Sequence, residues 1–195
     1  ATDRSSNTST ETHQGSRTVV VDNISPTSTV TYNTPHQQAN NISYYAGNIE
    51  ATININEANF DAGDVVVTVN KDGKAYAVNV AWVNNSADSH TGRFTLTEDG
   101  DYNVTVSYTD KSGNHMATYT SNQLTLDTTA PTINVSNIVA NSANKDAEYG
   151  FVITINDTNL DVASMNPVLM AVLRNENGLY STTQIDLGAP VAVVA

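Results

Sequence analysis

The groups in this chain best suited to chemistry are carboxylates and carboxamides, and many of them stand beside glycine. Asp99 and Asp101 bracket Gly100, and Asp110 and Asn114 flank a Lys-Ser-Gly turn signal. Asp22 and Asp127 each close an apolar run, VVVD and LTLD. Oxygen donors of this type suit Ca²⁺, which takes about six to eight of them. Asp99, Asp101, Asp110, Asn114 and Asp127 are therefore the candidate metal ligands. Against that reading, no loop has the D-x-D-x-D-G spacing, and Asp and Asn favour turns simply by bonding their own backbone. Turn chemistry is the reading the residues favour, with no cofactor expected. The remaining reactive types offer less. His13, His36, His90 and His115 all fall in polar stretches that read as loops, outside any H-E-x-x-H pattern, and no G-x-S-x-G elbow occurs. Glu98 and Asp99 are adjacent, so an extended strand points them to opposite sides, away from a shared substrate. The chain has no cysteine, hence no thiol nucleophile, thiolate metal site or disulfide. Catalysis is not expected.

Aromatic residues raise a different possibility, stacking against a sugar. Tyr44 and Tyr45 precede a predicted strand, so one of the two must face outwards, and the polar loop from Asn84 to Thr91 is the other candidate contact. Trp82 alternates with Val78 and Val80, which makes it core.

Charge excludes further classes. Twenty Asp and Glu against eight Lys and Arg give the 195-residue chain a net charge of −12. Phosphate binding needs a clustered basic face, so no nucleic-acid partner is expected, and an anionic membrane would repel the surface. There is no apolar run of the ~18 residues that a spanning helix needs, so no membrane insertion is expected.

Positioning elements follow from periodicity. In EDGDYNVTVSYTDKSGN, Tyr102, Val104, Val106 and Tyr108 fall on every second place with polar residues between. That period is a half-buried strand, entered through Asp99-Gly100. STVTYN, NIEATININ, DVVVTVN, YAVNVAW (Tyr76 to Trp82), RFTLT and ATYTSNQLTLD read as further strands, with the Asp-Gly of KDGK as a hairpin turn. About seven or eight short strands with frequent turns indicate an all-β sandwich.

The chain also repeats itself. VVVDNISPT (Val19 to Thr27) matches LTLDTTAPT (Leu124 to Thr132), pairing Asp22 with Asp127 and Pro26 with Pro131. ATININEANFD (Ala51 to Asp61) matches FVITINDTNLD (Phe151 to Asp161), and TDRSSN (Thr2 to Asn7) matches TDKSGN (Thr109 to Asn114). Three segments agreeing in order predict tandem modules. Residues 1–22 are the tail of a preceding repeat or disordered, 23–127 a complete domain, and 128–195 a second domain incomplete at its C-terminal side.

DTTAPTI, YYAGNIEATININEANFD and EDGDYNVTVSYTDKSGN together resemble the bacterial immunoglobulin-like repeats found in tandem in surface proteins of Gram-positive bacteria. The resemblance implies an immunoglobulin-like β-sandwich, an extracellular location at the cell surface or in secreted form, and neighbouring repeats as partners. It implies a stalk or spacer; the alternatives are an adhesive module for a host glycan or protein, or an accessory domain of a secreted carbohydrate-active enzyme. Tyr102 resembles the tyrosine that opens strand F in such domains and bonds back to the preceding corner, with Val104 where a cysteine commonly stands. An incomplete second sandwich would expose a sheet edge for residues 1–22 of another molecule to fill by strand exchange; a boundary set without regard to the repeats is the alternative.

Overall fold

The alternating stretches form strands in a computed structural model that describes residues 4–5, 21–137, 152–165, 168–174 and 180–186. These residues fall into two units divided between Asp127 and Thr128. Most of the expected tail over residues 1–22, and with it any strand exchange, lies outside the described residues, as does His13.

The first unit contains β1 (Thr27–Tyr32), β2 (Gln37–Ala39), β3 (Ile42–Tyr45), β4 (Ile49–Asn56), β5 (Val65–Lys71), β6 (Lys74–Tyr76), β7 (Ala81–Asn84), β8 (Ser89–Leu96), β9 (Gly100–Tyr108), β10 (Tyr119–Thr120) and β11 (Gln123–Leu126). One sheet has the order β1-β4-β8-β7; the other runs β2-β3-β11-β9-β5-β6, with β10 also paired to β9. The β3–β11 pair is parallel and the other pairings are antiparallel.

Both sheets feed one apolar cluster. β4 contributes Ile49, Ile53 and Ile55, and β8 contributes Phe94 and Leu96. From the other sheet come Tyr102, Val104, Val106 and Tyr108 of β9 with Leu124 and Leu126 of β11. The inward row of β9 is almost completely buried, from 0% to 2% exposed. At about 1.5–3 kcal/mol for each large apolar side chain removed from water, this cluster is the main force opposing chain entropy.

Several elements depart from the sequence pattern. The predicted strand Tyr76 to Trp82 is two strands in two sheets: β6 pairs with β5, and β7 pairs with β8. The chain crosses between the sheets at Ala77–Val80 while Tyr76, Val78, Val80 and Trp82 all remain packed against the core. Alternation reports the face a residue presents, and that face is shared by both sheets. The strand expected from Arg93 begins four residues earlier at Ser89, which shortens the polar loop and takes His90 into a strand. β2 and β3 were not anticipated. Asn40 and Asn41, with φ of 52° and 63°, turn one into the other, a conformation that Asn tolerates well.

In the second unit, β12 (Thr132–Ser136) pairs with β13 (Val152–Asn156), and β14 (Val168–Arg174) with β15 (Tyr180–Asp186). Thr132 lies opposite Asn156 and Ile133 opposite Ile155, as Thr27 lies opposite Asn56 and Ser28 opposite Ile55. A short 3-10 turn follows β4 and another follows β13, capped by the side chains of Asp61 and Asp161.

Candidate functional site

β9 separates the sequence-predicted carboxylates into two groups. Asp99 and Asp101 stand at its start, and Asp110 and Asn114 lie beyond its end. Nine residues of strand span ~30 Å, so no single ion can be shared among all four. Asp127 lies with the first group, because Leu126 pairs with Gly100. The unbroken length of this strand keeps the two groups of candidate ligands at opposite ends.

At the Gly100 end the polar groups hold the turns. The Tyr102 hydroxyl donates to Glu98 O at 2.6 Å, tying the strand back to the corner before it. Burial, then the nearby Tyr76 and Glu98, push the Tyr102 hydroxyl up to about 12. Lys71 Nζ donates to Glu98 Oε2 at 2.8 Å. Asp101 N donates to Asp72 Oδ1, and the Thr125 hydroxyl donates to Asp101 Oδ1. Asp99 and Pro131 are exposed. Asp127 N donates to Tyr45 O at 3.0 Å.

The other end brings together residues that the sequence keeps far apart. Asp22, Glu57 and Asp110 each bring a carboxylate oxygen to within 4.8 Å of the others, and Glu57 and Asp110 are buried. Asn59 Nδ2 donates to Asp22 Oδ2 at 2.7 Å, while Asn59 N donates to Glu57 Oε1. Asn114 Nδ2 donates to Asp110 Oδ2 at 2.8 Å and to Asp22 O at 3.3 Å. Asp110 Oδ1 accepts from Ser112 N and Asn114 N. Burial alone would raise the Asp110 carboxyl, but the Asn114 side chain and the turn's N–H groups outweigh it and hold it below its ordinary value. Three carboxylates are the hard donors that Ca²⁺ takes. Here their oxygens already accept from neighbouring N–H and amide groups, as in Asx-type turns. Of the sequence-predicted ligands only Asp110 and Asn114 belong to this group. The sequence offers Asp22 as an oxygen donor at a module junction and gives no sign that it meets Glu57, because their approach depends on β4 and the strand that precedes Asp110 ending on the same side.

Beside this group sits His90, buried in β8. Its Nδ1 lies 2.8 Å from Asn84 Oδ1 and its Nε2 2.8 Å from Glu57 O. The ring stacks on Phe60 at 4.1 Å, and Phe60 in turn touches Trp82 and Tyr108. The loop reading of His90 is thus corrected: its partner across the ladder is Ile55, so it belongs to the sheet. His36 and His115 are exposed. The Tyr108 hydroxyl accepts from Asp61 N at 3.1 Å, and Lys111 Nζ approaches Asp61 Oδ2 at 2.9 Å. That lysine first, with the Gly63 N–H, keeps the Asp61 carboxyl below its ordinary value.

The aromatic candidates divide. Tyr45 is buried at 5% exposure, while Tyr44 is half-buried on β3. Trp82 is half-buried and packs against the core. Gly92, its ladder partner, leaves it room: a Cβ there would come within 2.9 Å of Trp82 and Val80. Such a glycine in a strand signals close approach. Thr91, placed in the candidate contact loop by sequence, is buried in β8.

No protein-family model, no curated protein and no solved structure matches this chain.

Proposed function

We propose that this chain is a run of immunoglobulin-like β-sandwich modules acting as a non-catalytic spacer in a bacterial surface or secreted protein. One observation carries the reading. The complete repeat read from the sequence opens next to Asp22, which lies beside Asp110 at the far end of β9. The first unit ends at Asp127, beside the start of β9. The two ends of the unit are therefore one strand length apart, and each such module adds ~30 Å of reach. The sheet orders, the tyrosine tied to its corner and the matching registers of β1–β4 and β12–β13 all support repeated modules of this kind.

The experiment uses the absence of cysteine. Spin labels at Val21→Cys and at Thr97→Cys, which lies just beyond β8 near the start of β9, should lie roughly 30 Å apart, about one strand length within the first unit. In parallel, the chain is tested against glycans and matrix proteins. A short label separation would defeat the spacer. So would saturable binding that Tyr44→Ala abolishes, which would favour the adhesive module instead.

A further inference from the structure

We propose that the Asp22 end of the first unit is a docking site for the strand that closes a preceding module, and that the aspartate ending that strand is the group it recognises. The inference rests on the spacer reading, since a spacer needs junctions of fixed direction. In the sequence, VVVD (Val19 to Asp22) matches LTLD (Leu124 to Asp127). Leu126 of the second run lies in β11 and is 1% exposed, sealed in the sandwich that its strand closes. Val21, in the same place of the first run, is 88% exposed. The first unit therefore gives Val21 no core, yet it takes up the aspartate that follows.

Two asparagines form the site. Asn59 donates through its side chain to Asp22 Oδ2 at 2.7 Å and through its backbone N–H to Glu57 Oε1 at 2.7 Å. Asn114 Nδ2 donates to Asp110 Oδ2 at 2.8 Å and to Asp22 O at 3.3 Å. Each asparagine thus bridges Asp22 to one of the two buried acids of the unit. Without these neutral donors, three carboxylates whose oxygens lie within 4.8 Å of one another would repel the incoming chain. The remaining oxygen, Asp22 Oδ1, accepts from Ile24 N at 3.0 Å, which turns the chain towards β1. Asp22 is held at its carbonyl and at both carboxylate oxygens, so its position and its direction are set together. In the second unit the receiving turn recurs, with Asn159 N donating to Asp157 Oδ1 at 2.8 Å.

The spread of a distance between spin labels tests the site on the full chain. One pair of labels is Val21→Cys with Thr97→Cys; a control pair within the sandwich is Thr68→Cys with Thr97→Cys, all three positions being exposed. Asn59→Ala should broaden the Val21–Thr97 distribution about twofold, as for a segment no longer tied down, and leave the control pair as narrow as before. Exchanging the partners, Asp22→Asn with Asn59→Asp, keeps the charge and reverses donor and acceptor, and should restore the narrow distribution. An unchanged width in Asn59→Ala would overturn the proposal, as would an exchanged pair as broad as Asn59→Ala. Broadening of both label pairs together would also overturn it, because Asn59 would then serve the sandwich and not the docked strand. Failure of the spacer reading would appear separately, as ligand binding or a short mean separation, whatever the width.

Discussion

The Tyr102 hydroxyl donates to Glu98 O at 2.6 Å, and its ring is fully buried. Replacing Tyr102 with Phe keeps the ring and removes the bond, leaving the carbonyl to find water. The expected loss is about 1 kcal/mol, read as a lower urea midpoint with an unchanged slope. An unchanged midpoint would show that the corner is held by packing alone. Gly92 gives a contrasting test, because there the fault would be one atom too many. Gly92→Ala places a Cβ within 2.9 Å of the Trp82 ring and Val80, and overpacking of this kind costs about 1–3 kcal/mol. Trp82→Leu should recover part of that loss in the double variant; additive effects would mean the ring is not the obstacle. Tyr102 announces itself in the sequence through its place in an alternating row. Gly92 does not, because it stands in a stretch that reads as loop, and the ring that requires it comes from a strand folded back from the other side of a turn.

At the level of elements, local pattern and topology part company. The inward row of β9 is legible because burial on one face imposes a two-residue period. The break between β6 and β7 is not, since both sheets bury the same face of the chain and the period runs on unbroken through the crossing. The candidate site shows the same limit. Asp110 and Asn114 stand out as turn residues, but Asp22 and Glu57 join them only through the lengths of the strands between. The turn after β9 is itself an element whose stability is tied to charge. Asp110 accepts from Ser112 N, Asn114 N and the Asn114 amide, and its carboxyl is held below the ordinary value. A depressed folded-state value means that its contribution is fully present above the ordinary carboxylate range. The contribution is lost as pH falls through that range to the folded value. Asp110→Asn should therefore flatten the acid side of the stability–pH curve while lowering stability at neutral pH. A parallel curve, shifted but with the same acid slope, would show that other carboxylates govern acid unfolding.

For the molecule as a whole, the balance between repulsion and ion pairing decides how salt acts. The chain carries a net charge of −12 with only eight Lys and Arg. Two lysine–carboxylate pairs occur among the described residues, Lys71–Glu98 and Lys111–Asp61, and both involve exposed groups. Exposed pairs of this type add little to stability, and salt weakens them. Repulsion among the excess of acids acts the other way, because folding brings like charges closer than the unfolded chain holds them. Screening reaches inwards as salt is added, with a Debye length of about 30 Å at 0.01 M and about 10 Å at 0.1 M. Long-range repulsion is therefore lost from the balance before the short pairs at 2.8 and 2.9 Å are much affected. The thermal midpoint should rise by a few degrees between these two sodium chloride concentrations, measured with chelator present so that divalent ions play no part. Lys71→Gln should lower the starting midpoint slightly and steepen the rise, because it removes an attraction and leaves Glu98 among the repelling charges. A midpoint that falls with salt would mean that attraction within the folded units, and not repulsion, dominates their electrostatics.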